Sequence, residues 1–460
     1  HGYVENPSQH GGNYITIKKL MSNLSLLFHD INETETDSLT TETTGLITEW
    51  WNPINTFVRL LSHGNQITEW AHIDVHARDA LIMQSLNAQL PYQDLISFVS
   101  SNARYNQLLL TFTEIIVEDL TKLQTRRHST PRINEIVHKH LYITTMALLN
   151  LNLTSTPVDQ IDETIFKTVS AWVSYVSLTR NGTVSMDLSE LFQNLINLMY
   201  QSNDDTDSFN VAEKISSIWS YIFANDPTLM NYELREQIEA TFLGVTRSGN
   251  ADVSKNQWLL QYMNHLVTNE MVTELKELST CIVDFLQINN LDLCNKLFAK
   301  TAHDERTIQQ YIKVLLQLTN FPLLPVLQES FSIRMVDFWL DLADSYLNLP
   351  NEIMSPNAIN IAVDIFQQII NIYLPKISLL NKQKIIEDGN DETLIHEFED
   401  FRSAVTDLTQ SLWSILGNEH LTNVLIAGIG SNDASKIVTN GTDFSSYYQI
   451  EAMCFLLNNI

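Results

Sequence analysis

SPNAINIAVDIFQQIINIYLP (residues 355–375) is the stretch whose reading decides the fold. Apolar side chains fall at Ile361, Ala362, Ile365, Phe366, Ile369, Ile370 and Tyr373. Steps of three and four place them on one face of an α-helix, and nothing in the stretch alternates with the period of two that a half-buried strand needs. Ser355 can cap free N–H groups while Pro356 presets φ for the first turn, and Pro375 is expected to end the helix. The same Ser, Thr, Asp or Asn before Pro recurs at Asn52-Pro53, Thr130-Pro131, Thr156-Pro157 and Asp226-Pro227.

Reading outward, nearly every segment of the 460 residues has this character. About 18 to 20 helices are expected, roughly nine pairs at about 45 to 50 residues each, close to the period of HEAT repeats. A chain this long exceeds what one core usually supports, and no Pro/Gly/Ser-rich linker divides it. The expectation is therefore an all-α fold, a HEAT-repeat α-solenoid continuous over residues 1–460. Polar or acidic connections are expected at 32–45, 201–208, 382–393 and 430–443. The apolar pattern Ile450, Met453, Leu456, Leu457, Ile460 runs to the last residue without a polar cap, so the chain reads as a piece of a longer protein.

Composition narrows the function classes. Gly is scarce, 13 residues, and phosphate loops and tight hairpins depend on it. The 27 Lys+Arg against 54 Asp+Glu give a net charge of -27, a field that repels nucleic-acid phosphates and attracts basic partners. Direct nucleic-acid binding is not expected. No apolar run reaches the length of a membrane span, and the opening HGYVENPSQHGG is not a signal peptide. The three cysteines, Cys281, Cys294 and Cys454, suit reduced thiols, and the sequons at Asn23, Asn152 and Asn440 are read as chance matches.

Catalytic and metal motifs are weak. His72 and His76, with Asp74 nearby, sit at i, i+4, but two histidines fall short of a zinc site and HIDVH lacks the Glu that a metalloprotease base requires. His138 and His140 do not share a helical face. The run AGIGSND (427–433) lacks the dinucleotide-binding spacing and reads as a helix terminus. No nucleophile elbow is present. No enzyme, metal or cofactor is expected.

Charge clusters carry more. Between residues 387 and 400 lie Glu387, Asp388, Asp391, Glu392, Glu397, Glu399 and Asp400, with no Lys or Arg in the run. The plain reading is a solvated loop between helices. The functional one is an acidic ledge that recruits basic protein cargo. Asp341 and Asp344, following Trp339 on one helix, invite the same two readings. Lys122, Arg126, Arg127, His128 and Arg132 read as a basic helix C-terminus. Trp172, Trp219, Trp339 and Trp413, each among apolar neighbours, are expected to pack between helices.

Several segments, in order, resemble the importin-β (karyopherin-β) family of nuclear transport receptors, and its transportin-SR branch in particular. They are EFEDFRSAVTDL (397–408), VDFWLDL (336–342), EWWNPINTFVRLL (49–61), IFKTVSAWVSYV around Trp172, AEKISSIWSYIF (212–223) and YYQIEAMCFLL (447–457) with its Glu451-Ala452 pair. The family's earliest repeats, with much of its Ran-binding surface, have no counterpart before Tyr14, and the divergence suggests a fungal member. The resemblance implies a receptor that shuttles between cytoplasm and nucleus, binds Ran-GTP and FG-repeat nucleoporins, and carries protein cargo. A HEAT scaffold organising a multiprotein complex is the alternative.

Overall fold

The computed structural model describes residue 110 onward, except residues 112, 116, 119, 123–137, 139–141, 181–185, 202–205, 245–252, 301–304, 390, 432–444 and 460. The segment 49–61, the histidines at 72, 76 and 140, Asn52-Pro53, Thr130-Pro131, and the sequons at Asn23 and Asn440 lie outside the described residues. So do Arg126, Arg127, His128 and Arg132. The described residues form α-helices with two short 3₁₀ turns, and their only extended pairings are the isolated bridges Ala299–Met354 and Pro325–Glu329. The fold is all-α and of the HEAT-repeat type. Two compact units can be separated, residues 1–218 with 228–234, and residues 219–227 with 235–460.

In the first unit lie α1 (Ile143–Ser155), α2 (Glu163–Thr179) and α3 (Ser189–Gln201). α1 packs against α2 and α3. Trp172 on α2 is fully buried and meets Tyr142 edge-on at 5.6 Å. Asn194 donates a 3.1 Å hydrogen bond to Asn150, tying α3 to α1. The division between units falls within α4 (Thr206–Asn225), and α5 (Tyr232–Leu243) follows.

The second unit continues with α6 (Val253–Thr268), α7 (Val272–Ile288), α8 (Asn290–Phe298), α9 (Glu305–Thr319), α10 (Phe331–Leu347), α11 (Ala358–Lys376), α12 (Leu379–Asp388), α13 (Glu392–Ser431, broken at Gly417) and α14 (Ser445–Asn459). Two rows of helices emerge from the packing. In one, α10 lies between α7 and α13; in the other, α11 lies between the α8–α9 pair and α14. Each helix touches only near neighbours in sequence, as stacked repeats require. The first row begins at Val272, Phe331 and Glu392, a longer step than expected, because α8 with α9 and α12 add helical turns that a minimal helix pair does not have. Aromatic contacts run through the unit: Phe285 meets Phe223 and Phe242, Phe298 and Phe366 both meet Tyr346, and Tyr373 meets Phe401.

The proline signals work differently from the expectation. After Thr156-Pro157 and Asp226-Pro227 the chain first makes a 3₁₀ turn, and the α-helix starts only at Glu163 and Tyr232. The capping oxygens come from Asp162, which accepts the Thr164 N–H at 2.8 Å, and Asn231, which accepts that of Leu234 at 2.9 Å. Likewise α11 starts at Ala358, after Asn357, and runs through Pro375 to Lys376. Proline near a helix end forfeits one backbone bond without stopping the last turn. The buried face of α11 holds Ala362, Ile365, Phe366, Ile369, Ile370 and Tyr373, as its period predicts, while Ile361, expected with them, is only half-buried.

Two polar networks are buried. Glu329, fully enclosed, accepts the Ser332 N–H at 3.0 Å, while Lys376 Nζ donates to the Phe321 carbonyl at 2.7 Å and lies 3.4 Å from Glu329. Burial pushes the Glu329 carboxyl up and, against the attraction of Glu329, the Lys376 ammonium down. The pair closes the turn 321–330, where Val326 is held at φ 72°, an unfavourable conformation for a β-branched residue. In the other network Lys296 bonds Glu239 at 2.6 Å and Asp292 at 2.5 Å, and Tyr311 also donates to Glu239.

Candidate functional site

The sequence-predicted carboxylates separate into three places. Glu387 and Asp388 end α12, beside a polar recess that also includes Lys384 and Asn381. Asp391, Glu392, Glu397, Glu399 and Asp400 belong to the start of α13. Asp341 and Asp344 lie on the last turns of α10.

The 382–393 connection is a correction. Residues through Asp388 are helical, so the loop shrinks to a few residues around Gly389. The reason lies in the Ile385 side chain, which is buried and anchors α12, with the Ser378 hydroxyl accepting the Leu380 N–H at its start. On α13, Phe398, Phe401, Arg402 and Val405 point inward, and Glu397 and Asp400 remain exposed. Several of these acids already have work. Asp391 accepts the Thr393 N–H at 2.8 Å and serves as the N-cap. Glu392 occupies the first turn, where negative charge is favourable. Glu399 is paired with Lys382 of α12 at 2.5 Å, so the ledge is not uncompensated once the chain folds. Asp400 sits 3.5 Å from the ring of His396.

The α10 acids face a different setting. Asp341 and Asp344 line a groove of about 630 Å³ with Gln287 and Ile288 from the end of α7, Asn290 and Leu291 from the start of α8, and Leu349 and Ile353 after α10. Asp337 adds a third carboxylate one turn back on the same helix. Partial burial, then Asp337 and Asp344, hold the Asp341 carboxyl above its usual range, although the Gln287 side chain bonds it. Among the described residues no Lys or Arg forms an ion pair with these three acids. Sequence reading marked the acids but missed the apolar half of the groove. Leu291 and Ile353 come from segments far apart in the chain, and no local pattern links them.

The tryptophans divide too. Trp172, Trp219 and Trp339 are fully buried, and Trp339 donates a 2.9 Å hydrogen bond to Thr319. Trp413 is a correction: it is 36% exposed and donates to Asn418 just past the break at Gly417. Trp413 lies on the outer side of α13, where Leu412 and Leu416 take the buried positions, one turn before the break at Gly417 (φ 73°, ψ 168°). Cys281 and Cys294 are buried, Cys454 is exposed, and all three are free.

Two of the segments quoted from the sequence are joined directly. Arg402, in the 397–408 segment, donates to Glu451 of the 447–457 segment at 2.6 Å and stacks 4.1 Å from the Phe455 ring. Glu451 also takes the Leu379 N–H at 3.4 Å. These residues tie α12, α13 and α14 together, a structural role.

Residues 343–460 match the family described as "Importin beta-like KAP122 middle domain". No curated protein matches the chain. A solved structure described as "Importin13 cytosolic state" is similar with a TM-score of 0.58 and 14% identity, over 89% of this chain and 46% of that one. The chain thus spans about half the length of that structure, and at this identity the likeness carries the fold. The family match therefore speaks for residues 343–460, and the structural likeness for the fold.

Proposed function

We propose that this chain acts as a nuclear transport receptor of the importin-β type, a fungal member of the transportin-SR-like branch, carrying protein cargo through the nuclear pore under Ran-GTP control. The observation that carries the reading is the family match over residues 343–460, which falls on the end of α10 and on α11 to α14, the later part of the two-row stack. FG-repeat nucleoporins are the partners for passage, and shuttling between cytoplasm and nucleus follows. The acidic balance suits basic cargo. A stack in which each helix pair meets only its neighbours can add small rotations into a large change of pitch, which is how Ran-GTP would switch cargo affinity.

The test is a pull-down with Ran loaded with a non-hydrolysable GTP analogue against Ran loaded with GDP. Selective capture of the GTP form, with release of a bound basic cargo, is the expected result. Equal capture of both forms would point to a scaffold; the preference for the GTP form, not the amount captured, is the readout, because much of the family's Ran-binding surface has no counterpart before Tyr14.

A further inference from the structure

We propose that the trench along α9, between α6 and α11, is a docking site for an extended acidic segment of another protein, one in which carboxylates alternate with aliphatic side chains. The inference goes beyond the transport reading, needs no part of it, and runs against what the net charge of the whole chain suggests.

The trench has a volume of about 1000 Å³ and lies wholly within the second unit. Its apolar wall includes Leu260 of α6, which is 57% exposed, with Met263 beside it, Leu316 of α9 and Ile372 of α11. Apolar surface of this kind, rimmed by polar groups, marks a contact surface when it is concave and contiguous. The rim is made of amides: Gln309, Gln310 and Gln317 on α9, Asn320 just past it, and Asn371 on α11. Among the described residues none of these amide side chains is hydrogen-bonded. Each offers a donor and an acceptor together, the pair that an extended backbone turns to one side at every second residue. From Arg306 to Gln317 the helix runs about 16 Å, the length of about five extended residues.

Charge decides which segment fits. The chain carries 54 Asp+Glu against 27 Lys+Arg, yet α6 holds no Asp or Glu, and neither does the stretch 306–328, which covers α9 beyond its first residue and the turn that follows. Lys313 lines the trench, and a recess that shares Gln309, Gln310 and Lys313 with it continues to Arg306. Neither cation forms an ion pair among the described residues. Neighbouring acids stand at the margins. Glu305 starts α9, Asp364 takes the Gln368 amide at 3.0 Å, and Glu387 and Asp388 lie in the recess beyond Pro322 and Pro375. A carboxylate is repelled by the acidic field over most of such a surface, whereas here it meets two unpaired cations in a concave, partly apolar setting that strengthens the attraction. Aliphatic side chains alternating with the carboxylates would turn toward Leu260 and Leu316, so both walls are used at once.

Fluorescence anisotropy of the whole chain with a short labelled peptide in which glutamate alternates with valine tests the site. Controls replace valine with serine, glutamate with glutamine, or glutamate with lysine. The parent peptide should bind more tightly than all three. Lys313→Glu should weaken it about tenfold, the scale of one lost charge-assisted contact, and Leu260→Ser should weaken it severalfold. Lys167→Glu makes the same change of net charge on α2 and should leave the Kd unchanged. All three positions are exposed, and circular dichroism melts would show that the variants fold as the parent does. A Kd unchanged in both Lys313→Glu and Leu260→Ser overturns the proposal. So does an equal loss in Lys167→Glu, which would reduce the effect to net charge, or a serine, glutamine or lysine control that binds as tightly as the parent. The Ran pull-down is independent: if it fails while the trench variants still lose the peptide, the transport reading falls and the docking site stands.

Discussion

The first turns of α13 and the last turns of α10 are both acidic, yet folding treats their charges in opposite ways. On α13, Asp391 caps the helix and Glu399 meets Lys382. On α10, Asp341 and Asp344 stand together, without an ion pair among the described residues, facing exposed leucine and isoleucine side chains across a groove. A run of carboxylates in sequence measures local density. What a partner feels is the charge left over after caps and pairs have taken their share, and by that measure the sparser site is the better candidate.

The largest effect that bears on this contrast is on the buried side of α10. Trp339→Ala should cost about 3–5 kcal/mol in urea unfolding, because it empties a fully enclosed site and leaves Thr319 without its donor. D341N/D344N, on the opposite side of that helix, should leave the urea midpoint nearly unchanged. If Trp339→Ala left stability intact while abolishing partner binding, the assignment of Trp339 to the packing face of α10 would be wrong.

Next comes the lock that holds α13 in place. Arg402 is 2% exposed, Nη2 donates to Glu451, and Nε and Nη1 have no hydrogen-bond partner among the described residues. Glu451→Leu strands a buried guanidinium and should cost about 3 kcal/mol, toward the low end for a broken buried pair because Glu451 retains some solvent. Adding Arg402→Met should recover part of the loss. A double variant no more stable than Glu451→Leu alone would show that Arg402 contributes packing rather than charge.

Much of this was legible in the sequence, and the parts that were not have a common cause. The period of α11 gave the middle of its buried face, though Ile361 is only half-buried and Ala358 and Leu374 are buried as well, and the apolar surroundings of Trp172, Trp219 and Trp339 gave their burial, because both are local signals. Trp413 escaped because apolar neighbours in sequence do not tell which side of α13 a residue takes, and Leu412 and Leu416 fill the buried side. The start of α2 escaped because Pro157 opens a 3₁₀ turn before Asp162 caps the α-helix. The groove was half legible: its acids lie on one helix, but its apolar wall is assembled from Leu291 and Ile353, which only the fold brings together.

A smaller effect separates capping from recruitment. Asp391→Ala should lower stability by about 1 kcal/mol, the usual worth of an N-cap, whereas Asp391→Asn should be nearly silent, since the amide oxygen still accepts the Thr393 N–H. Neither should alter binding of a basic partner protein. A loss of binding without loss of stability would return Asp391 to the functional surface.

The smallest effect is the one most easily mistaken for a binding site. Glu397 and Asp400 are exposed on α13 and have no Lys or Arg partner among the described residues, so they can still act at a distance on a basic cargo. Reversing both to Lys should slow association with a basic protein at low salt, change dissociation little, and lose most of its effect at physiological ionic strength, where exposed charges are screened over about 8 Å. Glu399→Lys is the informative companion. It places an ammonium against Lys382, so it should cost stability as well as steering, and the two readouts divide the ledge into a structural part and an electrostatic part. Association rates indifferent to the Glu397 and Asp400 reversals at low salt would leave α13 with no recruiting role, and the groove on α10 would then have to account for any preference the protein shows for basic cargo.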